Sequence, residues 1–260
     1  MARTVILRTA GTNCDRELAH AFEQAGADSV EIVHVHELAE DPERLEGYDL
    51  IGLPGGFSYG DDISAGRIFA NLLRHRLGDA LRSAVERGVG VIGICNGFQV
   101  LVKMGLLPDP ADGRQTTTLA HNTDGRFVDR WVKIEPAVDS VCIWTKDLES
   151  HELPIAHGEG RFVAGGPEAL ERLRSNGQVA LRYAADDDPN GSDDRIAGLC
   201  DPSGRVLGMM PHPERFVHPT HHPAWSRQAP ADPTPGLALF RNGVEYVKRA
   251  AETSPMADAG

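Results

Sequence analysis

The feature that most constrains this chain is the alternation of strand and helix signals over its first 105 residues. "TVILRTA" from Thr4 is an apolar, β-branched run, and "DRELAHAFEQAGA" after it carries apolar residues at helical spacing until Gly26. "SVEIVHV" reads as a second strand, and "YDLIGLPGG" as a third that stops at Pro54-Gly55-Gly56. The spacing predicts a long helix from about Ile63 to Arg87, broken near Gly78. A fourth strand follows in "GVGVIGI" and a helix in "GFQVLVKMG". Strands separated by helices imply an α/β fold, a mostly parallel central sheet flanked by helices on both faces. Ligands on such sheets bind beyond the carboxyl ends of the strands. Both "LPGGFSYGDD" (53–62) and "GICNGF" (93–98) fall there.

After Gly105 the pattern changes. "RFVDRWVKIE", "SVCIWT", "QVALRYA", "RIAGLCD" and "RVLGMMPHP" are short strand candidates, the last two joined by a "DPSG" turn. They predict an antiparallel section added to the same sheet. Residues 217–235 are Pro-rich and read as an extended surface segment, and "GLALFRNGVEYVKRAAE" as a last amphipathic helix. The expected organisation is one domain over 1–222, an extension with its helix packed on that domain over 223–249, and a flexible tail over 250–260.

A net charge of −12 with no basic cluster argues against nucleic acid and anionic membrane surfaces as partners. No apolar run reaches the roughly 20 residues of a membrane span. "MARTVILRTAG" starts a strand at once, without the apolar core and cleavage site of a secretory signal. Four scattered cysteines, Cys14, Cys95, Cys142 and Cys200, form no CxxC pair, which suits free thiols in a reducing cytoplasm.

Gly93-Ile94-Cys95-Asn96-Gly97 has the G-x-nucleophile-x-G form of a strand-to-helix elbow. At such a turn Cys95 sits at a helix amino terminus, where the macrodipole favours thiolate. The backbone N–H of Asn96 then points to where an oxyanion would form. On these residues alone, a buried structural cysteine is an equal reading. A thiol nucleophile needs a base and an orienting acid. His212 and Glu214 in "MMPHPER" stand two apart after an apolar strand, and in an extended segment they would project to one side. His157 and Glu159 in "AHGEGRF" copy that spacing and form a rival pair.

With these pieces assembled, the chain resembles the class I glutamine amidotransferases. "GIC-G-Q" and the later "HPE" carry the general resemblance. "GTNCDRE", "GGFSYGDD", "HNTDGRFVDRWV" and "PIAHGEGRF" are similar to its purine-biosynthetic branch. The resemblance implies that Cys95 attacks the carboxamide of L-glutamine, that His212 shuttles the proton and that Glu214 orients it. It further implies an oxyanion hole from the backbone N–H groups of Gly56 and Asn96, and contact between Gln99 and bound glutamine. Ammonia would pass to a synthase subunit that amidates formylglycinamide ribonucleotide, with a third small subunit left open. ATP and Mg²⁺ would belong to that partner, since no G-x-x-x-x-G-K-[ST] loop occurs here and no cofactor is expected in this chain.

The remaining motifs have plainer readings. "LPGGFSYGDD" is a tight turn after a strand, which the resemblance makes the oxyanion loop with Tyr59, Asp61 and Asp62 toward the partner. "GTNCDRE" is a helix start with Thr12 as cap and Asp15 in the first turn; no elbow supports Cys14 as a second nucleophile. The resemblance puts that loop near the catalytic mouth or the partner surface, and takes His157 and Glu159 as structural or interface residues. His212, His218, His221 and His222 lie in or beside the Pro-rich segment without metal-site spacing, so no metal is expected. A cysteine hydrolase of another pathway, or a silent partner-binding subunit, are the alternatives. Scaffold alone would not separate the first of these.

Overall fold

The structure, a computed structural model, describes residues 1–61, 64–227 and 229–253. The alternating part forms as the sequence dictates. Its elements are β1 (Arg3–Arg8), α1 (Asp15–Gln24), β2 (Ser29–His34), α2 (Val35–Glu40), β3 (Leu50–Leu53), α3 (Arg67–Arg76), α4 (Gly78–Glu86), β4 (Gly90–Ile94) and α5 (Asn96–Met104). The long helical stretch is thus two helices, broken at Leu77.

The later elements are β5 (Thr118–Ala120), β6 (Val128–Pro136), β7 (His151–His157), β8 (Arg161–Val163), α6 (Pro167–Ser175), β9 (Val179–Tyr183), β10 (Ile196–Cys200), β11 (Val206–Met209) and α7 (Pro235–Thr253). One sheet takes the order β2-β1-β3-β4-β11-β10-β9-β6-β7, and β5 pairs with β8 apart from it. From β2 to β11 neighbours run parallel, and from β11 to β7 antiparallel.

Two features differ from the sequence reading. β11 is the seam between the halves, not a member of the antiparallel section alone. It pairs parallel with β4, Val206 opposite Val91, while the turn after β10 sets it antiparallel to β10. "SVCIWT" forms no strand. Its backbone bonds go to loops, Val141 N to Gly177 O and Ile143 N to Gly204 O, and its alternating Cys142 and Trp144 are buried as a plug. Five further elements, α2, α6, β5, β7 and β8, are not among those the sequence patterns predict.

The core follows the layers. Every residue of β3 and β4 is buried, as expected of parallel strands covered on both faces. All of α5 is buried except Lys103. The last helix is part of this core: Phe240 meets Phe22 of α1 edge-on at 5.1 Å, and Phe22 meets Trp144 at 6.3 Å. A Cβ on Gly243 would lie 2.2 Å from the Trp144 ring, so only glycine lets α7 seat there. The helix reaches Thr253, three residues past Ala250, where a flexible tail was expected; the rest of that tail lies outside the described residues. Among the described residues, no helix is long and apolar enough to cross a membrane.

Candidate active site

β4 enters the site at its carboxyl end and hands the chain to α5 in a single residue. Cys95 takes φ 52° and ψ −105°, a left-handed conformation that costs a non-glycine residue roughly 1–3 kcal/mol. The flanking glycines follow from contact distances. A Cβ on Gly93 would lie 2.7 Å from the carbonyl of Gly97, and one on Gly97 would lie 2.0 Å from Leu53 O. The Cys95 amide donates to Met209 O at 2.7 Å, which ties the elbow to β11. Its Sγ is nearly buried and 3.7 Å from Ala156 O of β7.

β11 ends three residues before His212, whose amide donates to Pro154 O of β7 at 2.8 Å. Glu214 stands in a 3-10 turn over Pro213–Arg215, not in the extended segment the spacing suggested. That turn brings its Oε1 to 2.6 Å from His212 Nδ1, with both side chains buried. Nε2 of His212 and Oε2 of Glu214 are buried without a hydrogen-bond partner among the described residues. Burial opposes charging His212, but the Glu214 carboxylate and the Cys95 sulfur outweigh it and hold the imidazole well above its ordinary pKa. Gly55 is where the groups meet: a Cβ there would lie 2.9 Å from His212 Cε1, 3.4 Å from Cys14 Sγ and 3.5 Å from Cys95 Cβ.

These side chains open onto a cavity of about 330 Å³, at the lower end of the range for small-ligand sites. Gln99 lies on its wall, one turn along α5; its Nε2 donates to Glu159 O and its Oε1 accepts from Asn96 Nδ2 at 3.0 Å. Gly56 also lines the cavity, with φ 129° and no room for a Cβ beside Asn13 N at 2.8 Å. Asn96 opens α5 directly after Cys95.

The rival pair does not form a pair. Glu159 binds Lys103 Nζ at 3.2 Å and accepts from Ala65 N at 3.4 Å. His157 instead bonds Asn122 Oδ1 through Nδ1 at 3.1 Å. Burial, and then the charge on His212, push it down to about 4. His218 bonds Thr220, and His222 bonds Glu152 while packing edge-on against Trp131 at 4.5 Å.

Thr12 does not cap α1. Its Oγ1 accepts from Thr9 N at 3.2 Å, and the helix starts after Cys14 with no side-chain cap. The loop before α1 is spent on the loop after β3: Thr12 bridges Gly56, and Phe57 N donates to Gly11 O at 3.0 Å. This brings Asn13 and Cys14 to the cavity wall. The resemblance expects this loop near the catalytic mouth or the partner surface, and it lines the cavity; nothing in the residues themselves singles out Cys14, because its placement depends on two loops over forty residues apart. Tyr59 is half-buried against the core; Asp62 and the side chain of Asp61 lie outside the described residues.

A thiol on a strained strand-to-helix elbow, on a sheet with a parallel and an antiparallel half, is the architecture of the class I glutamine amidotransferases. Residues 1–247 match the family described as the CobB/CobQ-like glutamine amidotransferase domain, and the chain belongs to that family. It is 43% identical over 254 residues to the phosphoribosylformylglycinamidine synthase subunit PurQ of Dehalococcoides mccartyi, covering 95% of this chain and 98% of that protein. It is 37% identical to the PurQ subunit of Methanococcus maripaludis, covering 95% and 98%. Among solved structures, a chain of PurLQS from Thermotoga maritima superposes with a TM-score of 0.73 at 35% identity, covering 95% of this chain and 99% of that one. A glutamine amidotransferase from the same organism shares the fold, with a TM-score of 0.55 at 15% identity.

Proposed function

We propose that this chain is the glutaminase subunit of phosphoribosylformylglycinamidine synthase, hydrolysing glutamine at Cys95 and passing the ammonia to a synthase subunit. The observation that carries this reading is the convergence of Cys95, His212 and Glu214 beside one cavity sized for an amino acid. The similarity to PurQ subunits along 95% of the chain supports the pathway.

In the proposed reaction His212 takes the Cys95 thiol proton, and the sulfur forms a bond to the carboxamide carbon of glutamine. The oxygen becomes an oxyanion facing the backbone N–H groups of Gly56 and Asn96, a type of donor whose loss costs roughly 3 kcal/mol of transition-state stabilisation. Collapse breaks the C–N bond, and His212 returns its proton to the departing nitrogen as ammonia. Water then attacks the thioester carbonyl, giving His212 a proton that reprotonates the thiol as glutamate leaves. Glu214 holds the ring through Nδ1, so Nε2 faces the reacting atoms. Gln99 stands where it can meet the body of the substrate.

The ATP and Mg²⁺ that activate the acceptor belong, in this reading, to the synthase subunit, and the assembly works in the cytoplasm. Phe57 and Phe127, each about half exposed (50% and 56%), stand at the rim of the cavity and suit an apolar partner surface there. The test is a coupled assay: the chain, its synthase, formylglycinamide ribonucleotide, ATP, Mg²⁺ and glutamine. Glutamine-dependent amidine formation, blocked by a glutamine chloroketone that alkylates Cys95, is the expected result. Glutamine hydrolysis without amidine formation in the presence of an active synthase would assign the chain to another pathway.

A further inference from the structure

The cavity holds a second thiol for which the proposed reaction has no use. Cys14 is 2% exposed and lies against the catalytic pair. Its Sγ, a ring nitrogen of His212 and a carboxylate oxygen of Glu214 all lie within 4.8 Å of one another, the one such group of potential metal ligands among the described residues. Glu214 Oε2 is buried and lacks a hydrogen-bond partner among those residues, while the ring nitrogens of His212 face Glu214 and the sulfurs of Cys14 and Cys95. We infer that Cys14, His212 and Glu214 form an inhibitory binding site for a soft divalent cation, of which zinc is the representative.

The donor set is one sulfur, one imidazole nitrogen and one carboxylate oxygen, each a zinc ligand, with bond lengths of about 2.0–2.3 Å. Three tetrahedral ligands at such lengths stand roughly 3.3–3.8 Å apart, so the 2.6 Å contact between His212 and Glu214 must open to admit an ion within the 4.8 Å that already encloses the three atoms. Cys14 stands at the start of α1 with its backbone bonded to Gly55 O and Leu18 N, so it is the side chain that adjusts. Arg215 Nη2 donates to Cys14 Sγ at 3.2 Å, and Nε of the same guanidinium donates to Glu17 Oε2 at 3.1 Å. A hydrogen bond to the ligand atom from outside the coordination sphere is the arrangement that orients metal ligands. Cys14 and His212 both line the cavity, so a fourth position would open toward water or substrate.

Inhibition follows from which atoms are taken. Glu214 stands on the Nδ1 side of the ring, so an ion shared with it takes Nδ1 and displaces the proton held between His212 and Glu214. An imidazole bound to a cation through Nδ1 is a weak base at Nε2, so His212 stops shuttling protons while Cys95 stays chemically intact. The effect is reversible by a chelator.

The test is a metal titration of the full chain, read by binding and therefore independent of whether the chain turns over glutamine. Wild type should bind one zinc in competition with a chromophoric chelator, and Co²⁺ in its place should give a thiolate charge-transfer band. Cys95→Ala should keep both. Cys14→Ala should lose the band and bind zinc more weakly by at least the roughly 10–100-fold that loss of an outer partner already costs. Cys14→Ser, closest in shape, should also lose the band and thereby cover a folding failure of the alanine variant. Absence of zinc binding, a band that persists without Cys14, or a band that disappears only in Cys95→Ala would each overturn the assignment.

Discussion

The amide of His212 donates to the carbonyl of Pro154 at 2.8 Å, and two residues on the carbonyl of Ala156 stands 3.7 Å from Cys95 Sγ. One edge strand thus gauges the spacing between the proposed base and the nucleophile, which come from opposite sides of the β4–β11 seam. Both contacts are made by the backbone of β7, one to the His212 amide and one to the Cys95 sulfur.

Replacing Cys95 with alanine should remove glutamine-dependent synthesis by roughly 10⁴-fold or more, the scale seen when a nucleophile is deleted. Synthesis from added ammonium by the complex should persist. Parallel assays with glutamine and with ammonium chloride check this, and loss of both would make Cys95 a structural residue.

Glu214→Gln keeps the shape of the pair but removes the charge that holds His212 up. The amide can also trap the wrong tautomer, and in a Ser-His-Asp triad the equivalent change costs about 10⁴-fold. We expect a comparable fall in kcat for glutamine, with the pKa of His212 moved down in an NMR titration of the imidazole. Unchanged kcat would remove Glu214 from the mechanism.

Gly97→Ala should fail at the backbone. The added methyl would sit 2.0 Å from Leu53 O, and neither strand nor helix can retreat without opening the elbow. A loss of about 3 kcal/mol, the upper end for overpacking, should appear in urea unfolding together with loss of Cys95 alkylation by the chloroketone. Gly47→Ala, with open space around it, is the neutral control.

His157 should make the fold sensitive to acid. Its folded pKa is about 4 against 6.5 for the free side chain, so between these values the unfolded chain binds the proton that the folded one refuses. Stability therefore rises with pH through that window, by about 3 kcal/mol at most. His212 has the opposite sign, its contribution being complete below 6.5 and lost as pH rises through its raised folded value. Urea unfolding from pH 4 to 6.5 should show the wild type gaining more than His157→Gln; parallel curves would contradict it.

Phe240→Ala should cost about 3–5 kcal/mol, as a large buried aromatic does. Its ring is the link between α7 and Phe22. Thermal unfolding measures it, and a cost below 1 kcal/mol would mean that α7 docks loosely.

The elbow was legible in sequence because each of its glycines answers a backbone contact: Gly93 with Gly97, and Gly97 with Leu53. His212 and Glu214 were legible from spacing, although a 3-10 turn and not an extended strand brings them together. β7 was hidden by Pro154, which argues against a strand unless the strand lies at an edge, as this one does. Its buried alternation of Leu153, Ile155 and His157 was the signal available. For Cys14 only the resemblance pointed to the cavity, because Gly11 and Phe57 fix its position through a loop-to-loop contact that no local pattern announces. "SVCIWT" misled because strand-like alternation also suits a plug that buries Cys142 and Trp144 while bonding to loops.

The last helix is anchored to the turn that carries Glu214. Thr234 Oγ1 donates to Phe216 O at 2.5 Å and accepts from Leu237 N at 3.3 Å, while the α-carbon of Gly236 passes so near Pro213 that a Cβ would lie 2.3 Å from its carbonyl. Proteolysis within 217–234 would leave Cys95, His212 and Glu214 all on one fragment, yet free the wall against which that turn rests. Such a nicked protein would be a thiol without a dependable base. Its cysteine would still react with iodoacetamide, and its glutaminase activity would fall as the helix came away.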